Sequence, residues 1–183
     1  MDESRLPKGA PPGAFEEIHI AARNRDLETV ASLLQSGVDP NLRNRKEPNG
    51  DGGNTPLWFA AQGAKPGGVA VARTLLAAGA RINERCEYGT TALHMVVSWA
   101  HLDVIEFLVA SGADIDVCND DGRTPLEMAE WDLVRLRERG RVGRISSEAQ
   151  AWLAAAPSII DYLSSVHESH KHRQGVHRVQ SFR

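Results

Sequence analysis

The chain has 183 residues, of which 42% are hydrophobic, 25% charged and 5% aromatic, with a formal net charge of −3. That length allows one or two ordinary domains, and few aromatics beside abundant Ala, Leu and Gly favour helices packed through small residues over a β-sandwich. The net charge is too small to call for a nucleic-acid or membrane partner, although from His167 onward Lys171, Arg173, Arg178 and Arg183 face only Glu168, a basic tail on a mildly acidic body.

From the N-terminus, residues 1–13 hold Pro7, Pro11 and Pro12 and no apolar run, which predicts a disordered arm and not a signal peptide. No later stretch approaches the ~18 consecutive apolar residues of a membrane helix. The two cysteines, Cys86 and Cys118, make no disulfide framework. They lie in similar segments of adjacent units, ~8–10 Å apart if the units stack, so both are expected as free thiols. The chain reads as intracellular and soluble, cytoplasmic with a nuclear setting open.

Self-similarity decides the architecture. Gly53-Asn54-Thr55-Pro56-Leu57 recurs as Gly89-Thr90-Thr91-Ala92-Leu93 and as Gly122-Arg123-Thr124-Pro125-Leu126, with the threonines 36 and 33 residues apart. A second phrase keeps step: Leu33-Leu34-Gln35-Ser36-Gly37, Leu75-Leu76-Ala77-Ala78-Gly79 and Leu108-Val109-Ala110-Ser111-Gly112.

The unit opening at Thr91 illustrates the physics. Thr91 can cap a helix with apolar Leu93, Val96 and Val97. After a break at Ala100-His101, a second helix carries Leu102, Val104, Ile105, Leu108 and Val109 and stops at Gly112. Ala113 to Gly122 then alternates Ile115 and Val117 before the turn formers Asn119, Asp120, Asp121 and Gly122. Helix, turn, helix, extended finger buries too little surface to stand alone, so neighbours must stack.

These phrases resemble the ankyrin repeat, with its ~33-residue period and a T-P-L-H-x-A opening. The resemblance implies an all-α repeat solenoid, a stack of helix-turn-helix units with β-hairpin fingers, over about 14–166. Four units are expected, at about 14–46, 53–86, 89–119 and 122–166, with a basic, His-rich disordered tail at 167–183. The first is degenerate, with Ile18-His19-Ile20-Ala21-Ala22 where Leu-His-x-Ala-Ala would stand. Its finger carries six extra residues, 47–52, and the second unit three more in a Gly- and Pro-rich turn around 63–68.

The fourth unit holds an insertion over about 135–157. Its final helix should include Ile159, Ile160 and Leu163, the last matching Leu108, and about 22 residues are inserted. Leu126, Ala129, Leu133 and Leu136 predict a first helix overrunning to about Arg139. Ser147 with Gln150 has capping-box spacing. Pro157 fits either the start of the final helix or a kink in a continuous one.

The resemblance gives His94, in Thr91-Ala92-Leu93-His94, a structural role: hydrogen bonding nearby backbone to tie first helix to finger. Trp58 and Glu127 replace it in units two and four, so those units are expected to lack the tie. The tail's His167, His170, His172 and His177 fall short of the H-E-x-x-H spacing and lack accompanying ligands, so no metal is expected. No phosphate loop, dinucleotide fingerprint, nucleophile elbow or C-x-x-C occurs, and the chain is read as non-catalytic and cofactor-free.

Ankyrin stacks usually bind partners with fingers and the exposed edge of the first helices. Matching positions in units one and two are Arg23, Asn24, Asp51, Asn54 and Gln62. Units three and four stand out with Glu87, Tyr88, Thr90, Ser98, Trp99, Asp120, Asp121, Arg123, Trp131 and Asp132. Tyr88, Trp99 and Trp131 are candidate anchors, and the surrounding carboxylates point to a partner segment with apolar anchors and basic flanks. The chain's own basic tail is a candidate internal competitor for that surface. A monomer acting as scaffold, adaptor or inhibitor is the expectation. The alternative is nucleic-acid or anion binding through Arg135, Arg137, Arg139, Arg141 and Arg144 together with the tail.

Overall fold

The computed structural model describes residues 14–44, 53–62, 67–143 and 145–180. The expected arm at 1–13, the lengthened finger at 47–52 and most of the Gly-rich turn of unit two lie outside the described residues. Among the described residues eight α-helices follow in chain order: α1 (Ala14–Asn24), α2 (Leu27–Gln35), α3 (Pro56–Gln62), α4 (Gly68–Ala77), α5 (Ala92–Trp99), α6 (Leu102–Ala110), α7 (Pro125–Val142) and α8 (Ser147–Gln180). First helices pack in the row α1, α3, α5, α7 and second helices in the row α2, α4, α6, α8, with each pair also packed together.

One apolar core runs the length of the stack, from Ile18 through Leu57, Leu75, Leu93, Ile105 and Leu108 to Ile159 and Leu163. Each of these eight side chains is 0–1% exposed, and burying one stabilises by about 1.5–3 kcal/mol. Asparagine side chains also hydrogen-bond the backbone of neighbouring units. The Asn41 amide donates to Gly79 O at 3.0 Å and accepts from Arg81 N at 2.7 Å, while Asn83 accepts from Asp114 N at 2.8 Å.

The helix starts follow the expected chemistry. Thr91 caps α5 through its hydroxyl, and Thr124 caps α7 in a reciprocal box with Glu127, Pro125 occupying the first turn. The helix stops follow it too. Gly37, Gly79 and Gly112, at φ of 91°, 93° and 93°, end α2, α4 and α6. The residue after each glycine donates back to the second helix, at Leu33, Leu75 and Leu108.

The fingers differ from expectation. Among the described residues no strand forms, so the β-hairpin form is not seen. The second and third fingers are each closed by a tight turn, with Cys86 N donating to Thr90 O at 2.7 Å and Asn119 N to Arg123 O at 2.9 Å, while in the first Asn44 N donates to Asn54 O at 3.0 Å and Gly53 N to Asn44 O at 3.1 Å. In the second and third fingers the closing residues Thr90 and Arg123 are followed at once by the helix caps Thr91 and Thr124, so a ladder has no room to extend away from the turn.

Unit four departs most. By register with α5, its first helix would end at Asp132, but α7 continues ten residues to Val142, past Gly140. By register with α6, its second helix would begin at Pro157, but α8 begins ten residues earlier at Ser147. The insertion is thus a helical hairpin arm built from prolongations of both helices, with Pro157 inside one continuous α8. The cap is Ser146, not the expected Ser147: Ser146 Oγ accepts from Ala149 N at 3.2 Å. At the other end His167 stands where the earlier units have their stop glycine, and α8 runs on to Gln180. The tail expected as disordered from 167 is therefore helical through Gln180, and 181–183 lie outside the described residues.

Candidate protein-binding surface

The His94 tie is present as expected. Nε2 lies 3.1 Å from Arg123 O and Nδ1 accepts from Thr91 N at 3.2 Å, which is the hydrogen-bonding pattern of a neutral ring. The ring is buried, which pushes its pKa down, opposed by the bond to Arg123 and helped by the nearby Arg85 charge. His19 makes the corresponding bond in unit one, to Leu42 O at 2.7 Å. The expectation that Trp58 forfeits the tie is corrected: its indole Nε1 donates to Thr90 Oγ1 at 3.0 Å. Glu127 folds back onto Thr124 N at 2.8 Å, which holds its carboxyl below the usual range.

The fingers are bound to one another by arginines that sequence reasoning missed. Arg43 reaches Glu84 and donates to Arg85 O at 2.9 Å. One unit on, Arg85 reaches Cys118 O and pairs with Asp120 at 2.9 Å. Their one-unit offset in the finger register was a visible signal. Cys86 and Cys118 are free thiols, as expected.

Of the ten candidate contact residues, seven gather near the fingers. Tyr88 is 70% exposed at the tip of the second finger, and its carbonyl accepts from Asp120 N at 2.9 Å. Its backbone is left-handed, φ 53°, followed by Gly89 at φ 66°. Glu87 is half-buried and hydrogen-bonded to Asn54. Thr90 is committed to Trp58. Asp120 is paired with Arg85, and Asp121 with Arg123 at 3.0 Å. Trp131, 45% exposed, carries the Arg123 guanidinium 4.4 Å and that of Arg135 4.9 Å from its ring centre.

Ser98, Trp99 and Asp132 sit elsewhere. They line a groove of about 620 Å³ between the end of α5, α7 and the start of α8. Trp99 is 40% exposed there, while Asp132 pairs with Arg135 at 2.9 Å. The floor includes Trp152, Ala149, Ala151 and Ala155. Trp152, unflagged by the sequence, is 6% exposed and donates Nε1 to Val97 O at 3.0 Å, fastening the arm to unit three. A second concavity of about 790 Å³ shares Arg135, Leu136 and Ala149 and continues along the arm to Arg139, Gly143 and Ile145.

The acidic rim is therefore less free than the sequence suggests, because Asp120, Asp121 and Asp132 each already hold an arginine. In the tail, His167 meets Asp116 at 3.0 Å, at the base of the third finger. Among the described residues no helix is long and apolar enough to cross a membrane, and no three His, Cys, Asp or Glu side chains gather as a metal set.

Comparison with known proteins accords with this architecture. Residues 18–119 match the family described as ankyrin repeats, in three copies; α7 and α8 add a fourth helix pair beyond the matched span. The chain is similar to SH3 and multiple ankyrin repeat domains protein 1 of Homo sapiens, 38% identical over 126 residues, 69% of this chain but 6% of that protein. It is similar to cyclin-dependent kinase 4 inhibitor B of Rattus norvegicus, 35% identical over 121 residues, 64% of this chain and 84% of the relative. With B-cell lymphoma 3 protein homolog of Mus musculus it shares 30% identity over 133 residues, 73% of this chain and 28% of the relative. That matched span, more than half of the chain, shows that this chain belongs to the ankyrin-repeat family.

Proposed function

We propose that the chain is a non-catalytic protein-binding module, a scaffold, adaptor or inhibitor, that docks a partner on the finger and first-helix surface of units three and four. Tyr88 carries this reading. A non-glycine residue in left-handed backbone costs about 1–2 kcal/mol, and Asn or Gly would fold more easily there, yet the chain holds a large aromatic at that tip, 70% exposed. An outlier of this kind points toward function. Trp131 is the second anchor, with Glu87, Thr90, Asp120, Asp121 and Arg123 around them and Ser98, Trp99 and Asp132 at the far edge.

A rigid stack lowers the ordering cost of association. Basic flanks on a partner would compete with Arg85 and Arg123 for the rim carboxylates, so charge there tunes association rate more than affinity. Free thiols suit a reducing intracellular setting, and the chain acts as a monomer. One relative is named as an inhibitor of a kinase, which supports the inhibitor or adaptor reading.

The test is capture of a partner from lysate by wild type beside the Tyr88→Asn/Trp131→Ala variant. Loss of the captured protein with unchanged circular dichroism is expected. Equal capture by both would overturn the finger surface as the site.

A further inference from the structure

Four carboxylates belong to the proposed finger and first-helix surface, and three of them already hold a cation. Asp120 holds Arg85, Asp121 holds Arg123 and Asp132 holds Arg135. Beside them in the second finger, Glu84 holds Arg43 and, at 3.7 Å, Arg81. Glu87 differs from all of these, because among the described residues it makes no ion pair. Its Oε2 accepts from the Asn54 amide at 3.3 Å, while Glu87 N donates to Asn54 Oδ1 at 2.9 Å. Asn54 is itself buried, and its N–H donates to Asn44 Oδ1 at 2.7 Å. The group that aims the Glu87 carboxylate is thus fixed by the finger before it.

We infer that Glu87 and Tyr88 receive one arginine side chain of the partner, the carboxylate accepting its N–H groups and the Tyr88 ring lying against its planar face. The inference rests on the finger-surface reading and names what that surface recognises. A half-buried carboxylate is screened less than an exposed one, so a cation brought to it counts for more. No arginine among the described residues competes for it, unlike at Asp120 and Asp121. One bond from Asn54 leaves lone pairs on both oxygens for a two-pronged donor. Tyr88, the next residue, is exposed at the finger tip. A guanidinium can stack on such a ring while its N–H groups face a carboxylate, a pair of contacts that the compact ammonium of lysine does not match. Arginine is therefore preferred.

The test is selection from a displayed library of random peptides on the full chain, followed by affinity measurement of the enriched peptides. Enriched sequences should carry an arginine beside apolar residues. Replacing that arginine by alanine should weaken binding about tenfold or more on wild type, yet less than about twofold on Glu87→Gln, where the coupling is gone. Replacing it by lysine should cost about threefold or more on wild type. Glu87→Gln keeps a side-chain oxygen for the Asn54 amide, and circular dichroism and melting check its folding. Glu106→Gln removes the same charge from an exposed position on α6 and should change nothing. Trp131→Ala tests the wider surface without touching Glu87 or Tyr88. Peptides that Trp131→Ala weakens but that need no arginine, or whose arginine matters equally on Glu87→Gln, would overturn the inference and leave the finger surface standing. Equal weakening by Glu106→Gln would also overturn it, as a diffuse effect of charge. Peptides indifferent to both Trp131→Ala and Glu87→Gln would overturn the inference and the finger surface together, and no enrichment at all would overturn the inference.

Discussion

Trp58 donates its indole N–H to Thr90 Oγ1 at 3.0 Å, and so does for unit two what His94 does for unit three through Arg123 O at 3.1 Å. A larger ring reaches a hydroxyl where the smaller one reaches a carbonyl. The side chain is also 6% exposed, so bulk and hydrogen bond contribute separately.

Trp58→Phe should therefore cost about 1 kcal/mol for the lost bond, and Trp58→Ala about 3–5 kcal/mol for the cavity as well. Urea unfolding at neutral pH measures both. A Phe variant as stable as wild type would mean that the indole bond ties nothing.

His94 makes stability depend on pH. Burial lowers its folded pKa below the ordinary value, so over the window beneath about pH 6.5 the unfolded chain binds a proton that the folded chain refuses. The His94 contribution is complete above that window and is lost as pH falls through it. Unfolding free energies at about pH 7.5 and 5 should differ more for wild type than for His94→Gln. Equal differences would show that the ring carries its proton in the folded state.

The regular units were legible because their signals are local. Thr91 and Thr124 as caps, Gly37, Gly79 and Gly112 as stops, and Leu33, Leu75 and Leu108 at fixed offsets all act within one or two turns of chain. What escaped was set by tertiary distance. Trp152 binds Val97 O, 55 residues away, and no pattern around Ala151-Trp152-Leu153 announces that. The acidic rim was visible as composition, but the pairing of Asp120 with Arg85 emerges only when the fingers are stacked, whereas Arg123 and Arg135 hold carboxylates two and three residues away. The β-hairpin form of the fingers came from the resemblance alone, and in the second and third fingers helix caps at Thr91 and Thr124 directly after the closing residues leave no run for a second strand.

Gly89 is required by a neighbour as well as by its backbone. At φ 66° it sits under the Arg85–Asp120 pair, and an added Cβ would collide with both side chains. Gly122, at φ 75° in the next finger, has nothing within 4 Å of such a Cβ. Gly122→Ala should thus cost about 1–2 kcal/mol in backbone strain, and Gly89→Ala clearly more, because the pair must also open. Melting curves of the two variants side by side decide it. Equal shifts would show that the ion pair yields freely.

The two thiols should react in order. Cys118 is exposed, while Cys86 is half-buried beneath Thr55, and burial pushes its pKa up. Reaction with iodoacetamide at pH 8 should modify Cys118 first and Cys86 only slowly, since the thiolate is the nucleophile. Mass spectrometry of digested samples over time reads the order. Simultaneous loss of both would mean that the second finger opens on the labelling timescale.

His167 tests the stop-signal account most directly. Gly37, Gly79 and Gly112 adopt left-handed backbone and end their helices, whereas a non-glycine residue at that position disfavours the same turn. His167 accordingly stays helical and meets Asp116 at 3.0 Å. His167→Gly should restore the stop and reduce ellipticity at 222 nm through loss of the helix after residue 167. His167→Ala removes the Asp116 contact while keeping a strong helix former, so its spectrum should match wild type. If the Ala variant loses the same ellipticity as the Gly variant, the Asp116 contact holds the overrun and the missing glycine does not. If neither loses any, the helix after 167 is set by its own sequence, and the comparison with Gly112 explains nothing about where α8 ends.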